Sequence, residues 1–311
     1  MLDPDRPQRC LLLDSASLYF RAFFGVPEVV GPSGVPTNAV RGLLDMIASL
    51  VERGRPTHLV ACWDNDWRPA FRVEAIPSYK AHRLSDDGGE QVDDRLGVQV
   101  PIIIEALTAL GIARVGVDGY EADDVIGTYT ALNRGVMPVD IVTGDRDLFQ
   151  LVDDAQEIRV LYTARGGVRS PDLVDQGFLA EKYAVPTGAA YADMAALRGD
   201  TSDGLPGVVG IGEKTAAKLI DAYGTLAAIR QAIADGDPKI KGAQRTRIEA
   251  ASDYLDVAPL VVAVAQDAAV PDVDISLPRS VADPRLMSRL ALEHGLTSSF
   301  DRVVNALELG S

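Results

Sequence analysis

The sequence predicts an α/β fold: a mostly parallel central sheet flanked by helices, with a helical region behind it. Two patterns carry that reading. Short apolar runs alternate with helically spaced segments up to about residue 171, and helical spacing alone continues from about residue 172. In addition, several of the apolar runs lead into an aspartate, which would line acids along one edge of the sheet. Strands alternating with helices build parallel sheets.

Cys10–Leu13 is a short apolar strand that ends at Asp14. Asn38–Arg53 repeats Val40, Leu43, Leu44, Ile47, Leu50 and Val51 at helical spacing. Thr57–Trp63 is a second strand, ending at Asp64, and Gln99–Leu110 is a helix. Ile112–Val117, Pro138–Val142 and Glu157–Tyr162 are further strands, and Glu121–Leu132 is the helix between the first two of them. Beyond these, Pro171–Tyr183, Thr187–Arg198, Glu213–Tyr223, Arg245–Ala258 and Pro284–His294 read as helices. The expected division is therefore an α/β body over 1–171 and a helical region over 172–311. Leu84–Gly97 is polar and glycine-containing, and reads as a mobile connector.

Composition excludes several classes. Apolar residues make up 47% and charged residues 24%, as in ordinary soluble globular chains. No apolar run approaches the ~20 residues that cross a bilayer. Met1 to Arg9 lacks the apolar core of a secretory signal, so a cytoplasmic protein is expected. Cys10 and Cys62 lie inside apolar runs and read as packing. Two cysteines and three histidines make no zinc set. The net charge of −15, spread evenly, would argue against nucleic acid. Concentrated around divalent cations, the same charge would change sign locally.

The acids are concentrated. Asp14, Asp64 and Asp145 follow strands, at the edge where open α/β sheets bind ligands. Glu121, Asp123 and Asp124 open a helix. Asp145 and Asp147 form one close pair, Asp200 and Asp203 another. Any single pair fits an ordinary cap or turn. Their joint placement fits a cation cage, since clustered carboxylates stay ionised only beside compensating charge. Mg²⁺ uses few carboxylates plus water, so this many acids suit two ions. Two ions about 4 Å apart serve phosphodiester hydrolysis.

Other segments suit DNA. In Asp203-Gly-Leu-Pro-Gly-Val-Val-Gly-Ile-Gly-Glu-Lys-Thr-Ala, Gly207, Gly210 and Gly212 allow close backbone approach, and the helix that follows brings Lys214 and Lys218. Such a hairpin would hold backbone phosphate rather than bases, so binding would be independent of sequence. Glu213 before Lys214 rules out a Walker loop. After Asp64, the Arg68–Arg72 and Tyr79–Arg83 stretches add basic and aromatic groups: Arg72, Lys80 and Arg83 as phosphate contacts and Tyr79 as a stacking platform. Arg21, a turn beyond Asp14, is a similar candidate.

Together these motifs resemble the 5′-nuclease family, which includes flap endonucleases, phage 5′-exonucleases and the N-terminal domain of bacterial DNA polymerase I. The matching pieces are L-L-L-D-S-A-S-L-Y-F-R-A-F-F, C-W-D, F-R, Y-K-A-H-R, G-Y-E-A-D-D-V-I-G, T-G-D-R-D-L-F-Q-L and L-R-G-D-T-S-D-G-L-P-G-V-V-G-I-G-E-K-T-A, in the family's order. L-A-L-E-H-G-L-T-S-S-F is a weaker echo. The resemblance implies a PIN-like nuclease fold with a helical arch at about 80–110 and a helix–three-turn–helix at about 187–224. It implies a first metal cluster of Asp14, Asp64, Asp123 and Asp124 with Glu121 alongside, and a second of Asp145, Asp147, Asp200 and Asp203. Lys80 and Arg83 match basic residues at the base of the arch. Mg²⁺ or Mn²⁺ is the implied cofactor, with K⁺ at the helix–three-turn–helix. The implied partner is DNA with a 5′ flap, nick or free 5′ end, cut by a stand-alone, monomeric enzyme that leaves a 5′-phosphate. One departure is an acid-rich arch region: Asp86, Asp87, Glu90, Asp93 and Asp94. The alternatives are a PIN-like ribonuclease, which usually lacks the glycine-rich hairpin, and a catalytically inactive DNA-junction binder. An acidic Ca²⁺-binding protein ranks last, because no D-x-D-x-D-G loop occurs.

Overall fold

A computed structural model describes residues 7–85 and 88–309. Asp86 and Asp87 lie outside the described residues, as do 1–6, 310 and 311. In chain order the regular elements are β1 (Cys10–Asp14), α1 (Ser15–Gly25), α2 (Asn38–Gly54), β2 (His58–Cys62), α3 (Ala70–Ala75), α4 (Asp94–Gly97), α5 (Val100–Leu110) and β3 (Ala113–Val115). They continue with α6 (Ala122–Asn133), β4 (Val139–Thr143), β5 (Ile158–Tyr162), β6 (Asp172–Val174), α7 (Gln176–Tyr183), α8 (Gly188–Arg198) and α9 (Glu213–Tyr223). The chain closes with α10 (Leu226–Ala234), α11 (Gly242–Ala250), α12 (Ser252–Val262), α13 (Pro284–His294) and α14 (Thr297–Ala306).

The strands form one sheet in the order β3-β2-β1-β4-β5-β6. Every neighbouring pair is parallel except β5–β6. Central strands are apolar on both faces, as a parallel sheet covered on both sides requires. Cys10, Leu12, Val60, Cys62 and Ile141 face one core, shared with α6 and with α7 to α12. Leu11, Leu13, Leu59 and Ala61 face the other, shared with α2, α5, α13 and α14. Both cysteines are buried and free, as packing residues should be.

Three expectations change. The sheet extends past residue 171, because β6 occupies part of the stretch expected to be helical. Three residues are too few to display a two-residue period. The helical region is also not one layer: α7 to α12 cover one face of the sheet, while α13 and α14 return to the other. Finally, α5 is a core helix, with Ile103, Ala106 and Leu110 fully buried, so 100–110 is no part of an arch. Among the described residues there, the Gln91 amide donates to the Arg83 carbonyl at 2.8 Å, which lays 88–91 back against 83–85.

The helical cover is anchored by Phe149, which is fully buried just beyond β4. Its ring meets Tyr162 edge-on at 5.0 Å and Tyr191 of α8 at 5.4 Å, with Phe178 and Tyr183 of α7 completing the cluster. Phe149→Ala is expected to cost about 3–5 kcal/mol of unfolding free energy. Urea denaturation checks this, and a loss under about 1 kcal/mol would remove Phe149 from that anchoring role.

Candidate active site

Parallel strands deliver their carboxyl ends to one edge, and the acids collect there. Asp14 closes β1 and caps α1: one carboxylate oxygen accepts the Ser17 amide at 3.1 Å, and the other accepts the Thr143 hydroxyl of β4 at 2.6 Å. Asp64 follows β2 and accepts the Ala122 amide at 2.9 Å, which ties the strand end to the start of α6. Asp123 sits in the first turn of α6. Asp145 follows β4 and accepts the Asp147 amide. Asp14, Asp64, Glu121, Asp123 and Asp145 line an open cleft of about 440 Å³, together with Lys80, Arg83 and Glu90. A smaller adjoining cavity is lined by Asp147, Asp200, Asp203 and Arg198, and shares Glu121 and Asp123 with the cleft.

These carboxylates feel one another. Burial pushes Asp14 up to about 7, and the neighbouring charges of Asp64 and Asp145 add to that despite its two hydrogen bonds. Burial, then Asp14, Asp145 and Glu121, hold the Asp123 carboxyl well above the usual carboxylate range. Burial, then Asp145, Asp203 and Asp200, do the same to Asp147. Asp64 and Asp203 are raised mainly by burial. Asp200 goes the other way: burial opposes it, but the hydroxyl and amide of Ser202 hold it below its ordinary value.

Such a set either takes up protons or holds cations. All the donors are oxygens, which suits a hard dication. Among the described residues, no three acidic, histidine or cysteine side chains are grouped tightly enough to enclose an ion by themselves. The donor set therefore fits an ion that takes one or two carboxylates and completes its shell with water, as Mg²⁺ does.

Three expected roles are overturned by burial. Arg72 is only 2% exposed and its guanidinium is bidentate on Asp124, at 2.6 and 2.7 Å. It cannot reach DNA. Asp124 also accepts the amides of Glu121 and Ala265, and it lines neither cavity, so it is a structural anchor rather than a metal ligand. Tyr79 is 4% exposed and donates its hydroxyl to Glu121 at 2.8 Å, which leaves no face for a base. The other Glu121 oxygen accepts from Lys80 at 2.6 Å. Arg72, Asp124, Tyr79, Glu121 and Lys80 thus form one buried polar chain that reaches the cleft wall at Glu121 and Lys80. The Arg21 guanidinium turns to the Ala164 carbonyl at 3.3 Å and does not line the cleft. Arg83 does line it, and is paired with Asp203 at 2.7 Å.

The glycine-rich segment is a loop, 199–212, between α8 and α9. Gly207 has φ +63°, and a side chain there would meet the Arg198 carbonyl at 2.4 Å, so only glycine fits. Gly210 is exposed at the loop's outer turn, and Gly212 precedes α9 without a capping side chain. Lys214 and Lys218 are exposed one turn apart on α9. Two site residues were missed in the sequence. Arg198 binds Glu213 at 3.1 Å and approaches Asp200 at 3.7 Å, and its place in L-R-G-D was a usable signal. Glu90 faces the cleft beside the contact of Gln91 with Arg83, for which the sequence carried no signal.

Residues 9–184 match the family described as 5′-3′ exonuclease, N-terminal resolvase-like domain, and residues 186–282 match 5′-3′ exonuclease, C-terminal SAM fold. A 5′-3′ exonuclease of Streptomyces coelicolor is 57% identical over 303 residues, covering 96% of this chain and 99% of that protein. A 5′-3′ exonuclease of Mycobacterium tuberculosis is 46% identical over 314 residues, covering 96% and 97%. In structure, the chain is similar to a bacteriophage T5 flap endonuclease solved with DNA and metal ions: TM-score 0.66, 18% identity, 97% of this chain and 99% of that one. The order of the strands, the acids at their ends and these matches together place the chain in the 5′-3′ exonuclease family.

Proposed function

We propose that this chain hydrolyses DNA phosphodiesters near a free 5′ end or at a 5′ flap during replication and repair, leaving a 5′-phosphate and a 3′-hydroxyl. One observation carries the reading: acids from three strand ends, one helix start and two loops meet at two adjoining cavities on one sheet edge. Asp14, Asp64, Asp123 and Asp145 are proposed to surround one cation, and Asp147, Asp200 and Asp203 a second, each ion taking one or two of these carboxylates directly and the others through water. Mg²⁺ or Mn²⁺ suits both. When bound, such ions neutralise phosphate charge and make a water more acidic.

The chain's own groups do the rest. Lys80 keeps its proton: burial works against the charge, but Glu121 and Asp203 outweigh it. It and Arg83 offer fixed positive charge on the cleft wall for the scissile phosphate. Glu121, held by Tyr79 and backed by Arg72, orients Lys80. The 199–212 loop with Lys214 and Lys218 would take duplex backbone, which makes binding independent of sequence. K⁺ is assigned to that loop on the family resemblance. The enzyme is proposed to work as a monomer.

Initial rates on a 5′-labelled flap, a nicked duplex and an RNA hairpin, with Mg²⁺ and Mn²⁺ compared, test the reading. Cleavage of the two DNA substrates alone is expected. Asp123→Asn and Asp145→Asn should each lower the rate at least about a hundredfold while duplex affinity survives. Full activity in either variant would refute the assignment.

The buried acids give a stability signature. Asp14 rises from 3.8 to about 7 on folding, so between those values the folded chain binds more protons than the unfolded one. The contribution of Asp14 to the stability of the metal-free protein is therefore complete below about pH 4 and is lost as pH rises through about 7. Thermal melts in EDTA should show the midpoint dropping between about pH 4 and 7, with Mg²⁺ or Mn²⁺ restoring it most at the upper end. A flat profile, unmoved by metal, would contradict the carboxylate cage.

Arg72→Ala strands the Asp124 charge in the interior. A loss of about 3–5 kcal/mol in urea melts is expected. A stable variant that lost only DNA affinity would return Arg72 to a binding role.

A further inference from the structure

Residues 77–83 form a strap between the cleft and the glycine-rich loop. On one side, Lys80 and Arg83 line the cleft. On the other, the strap is fastened to 202–204. The Ser78 hydroxyl donates to the Gly204 carbonyl at 2.7 Å, and the Lys80 amide donates to the Asp203 carbonyl at 2.9 Å. The Arg83 guanidinium donates to the Ser202 carbonyl at 2.9 Å and to the Asp203 carboxylate at 2.7 Å. Arg68 holds the strap from behind, donating to the carbonyls of Tyr79 and Pro77 at 2.6 and 2.9 Å.

Two backbone features show how tightly this junction is set. Lys80 has φ +48°, a left-handed conformation that a long side chain keeps only where its surroundings enforce it. Gly204 has φ +73°, and a Cβ there would lie 2.1 Å from the Ser78 carbonyl oxygen. The strap therefore rests directly on the backbone of the loop, with no side chain between them.

We propose that Ser78 and Gly204 are positioning residues whose contact transmits the seating of duplex on the 199–212 loop to Lys80 and Arg83 in the cleft. This rests on the roles given above to that loop and to those two cations. The physical ground is the absence of slack. Any displacement of 202–204 on contact with backbone phosphate is carried by four hydrogen bonds and one van der Waals contact into the segment that bears both cations. Duplex outside the cleft thereby sets the geometry of phosphate capture inside it.

Ser78→Ala removes one hydroxyl, and Ser78→Thr keeps it. Rates with Mg²⁺ are measured on a 5′-flapped duplex and on a single strand of the same sequence, and duplex affinity is measured in EDTA. Ser78→Ala is expected to lower the ratio of duplex to single-strand rate about fivefold, with the single-strand rate and duplex affinity within about twofold of the parent. Ser78→Thr should restore the ratio. Gly204→Ala should reduce it at least as much; where thermal melts show that this variant does not fold, the serine pair carries the test. An unchanged ratio in Ser78→Ala, or equal losses on both substrates, overturns the coupling. A parent protein that cuts neither substrate would instead overturn the nuclease reading on which the coupling rests.

Discussion

Mutual repulsion among buried carboxylates is the constraint around which the sheet edge is organised. Nine acids line the two cavities, Glu90 included, against four cations: Arg72, Lys80, Arg83 and Arg198. Burial first, and like charge beside it, raise Asp14, Asp123 and Asp147 together, so keeping all three ionised in this poorly solvated site is costly. A fold that carries this cost without a compensating ion would gain from replacing the acids. Their presence at three strand ends, one helix start and two loops is intelligible when divalent cations belong to the working state.

The rest of the molecule keeps that edge rigid while it is repelled from within. Asp14 shows the economy of the arrangement: a single carboxylate caps α1, takes the β4 hydroxyl and still lines the cleft. Behind it, Asp124 has both oxygens occupied by Arg72 and by two backbone amides. An ion pair this well enclosed contributes less to net stability than its Coulomb energy suggests, because both ions lost their water. Its value lies in fixing positions. It locks the start of α6 to the 261–265 segment, and so determines where Glu121 and Asp123 point.

The parallel sheet, its central strands and the edge that collects the acids were legible in the sequence, because a five-residue apolar run followed by Asp is a strong local pattern. Glu213–Tyr223 and Pro284–His294 were read at their observed bounds, since helical spacing runs there between turn residues. α10 and α14 were missed although Leu226 with Ile229 and Phe300 with Val303 carry helical spacing. Both are short, and a short period competes poorly with turn-like flanks. The return of α13 and α14 to the far face was not legible at all, because a helix's apolar stripe does not say which partner it covers. In the site, positions of acids were legible and their duties were not. Asp123 and Asp124 are neighbours in sequence, yet one faces the cleft and the other the interior, a 100° rotation that only packing resolves. Tyr79 and Arg72 failed for the same reason: type and proximity suggest DNA contact, whereas burial commits them to Glu121 and Asp124.

The overall charge of −15 then takes on a specific meaning. A DNA-binding surface built from many lysines and arginines releases many counterions and depends steeply on salt. Here the cations on the cleft wall are few and already paired: Lys80 with Glu121, Arg83 with Asp203. The loop at 199–212 offers backbone close to its surface, with Lys214 and Lys218 on the helix that follows and the Arg247 guanidinium donating to the Gly210 carbonyl at 3.3 Å. On the proposed reading, attraction for the phosphate backbone comes chiefly from ions held in the cleft and from main-chain groups of the loop. Long-range attraction is then weak, and the acidic surface repels duplex wherever the cleft and loop are not both engaged. Selection for a particular junction shape follows from that repulsion as much as from contact: only DNA that fills both places at once recovers enough attraction to stay.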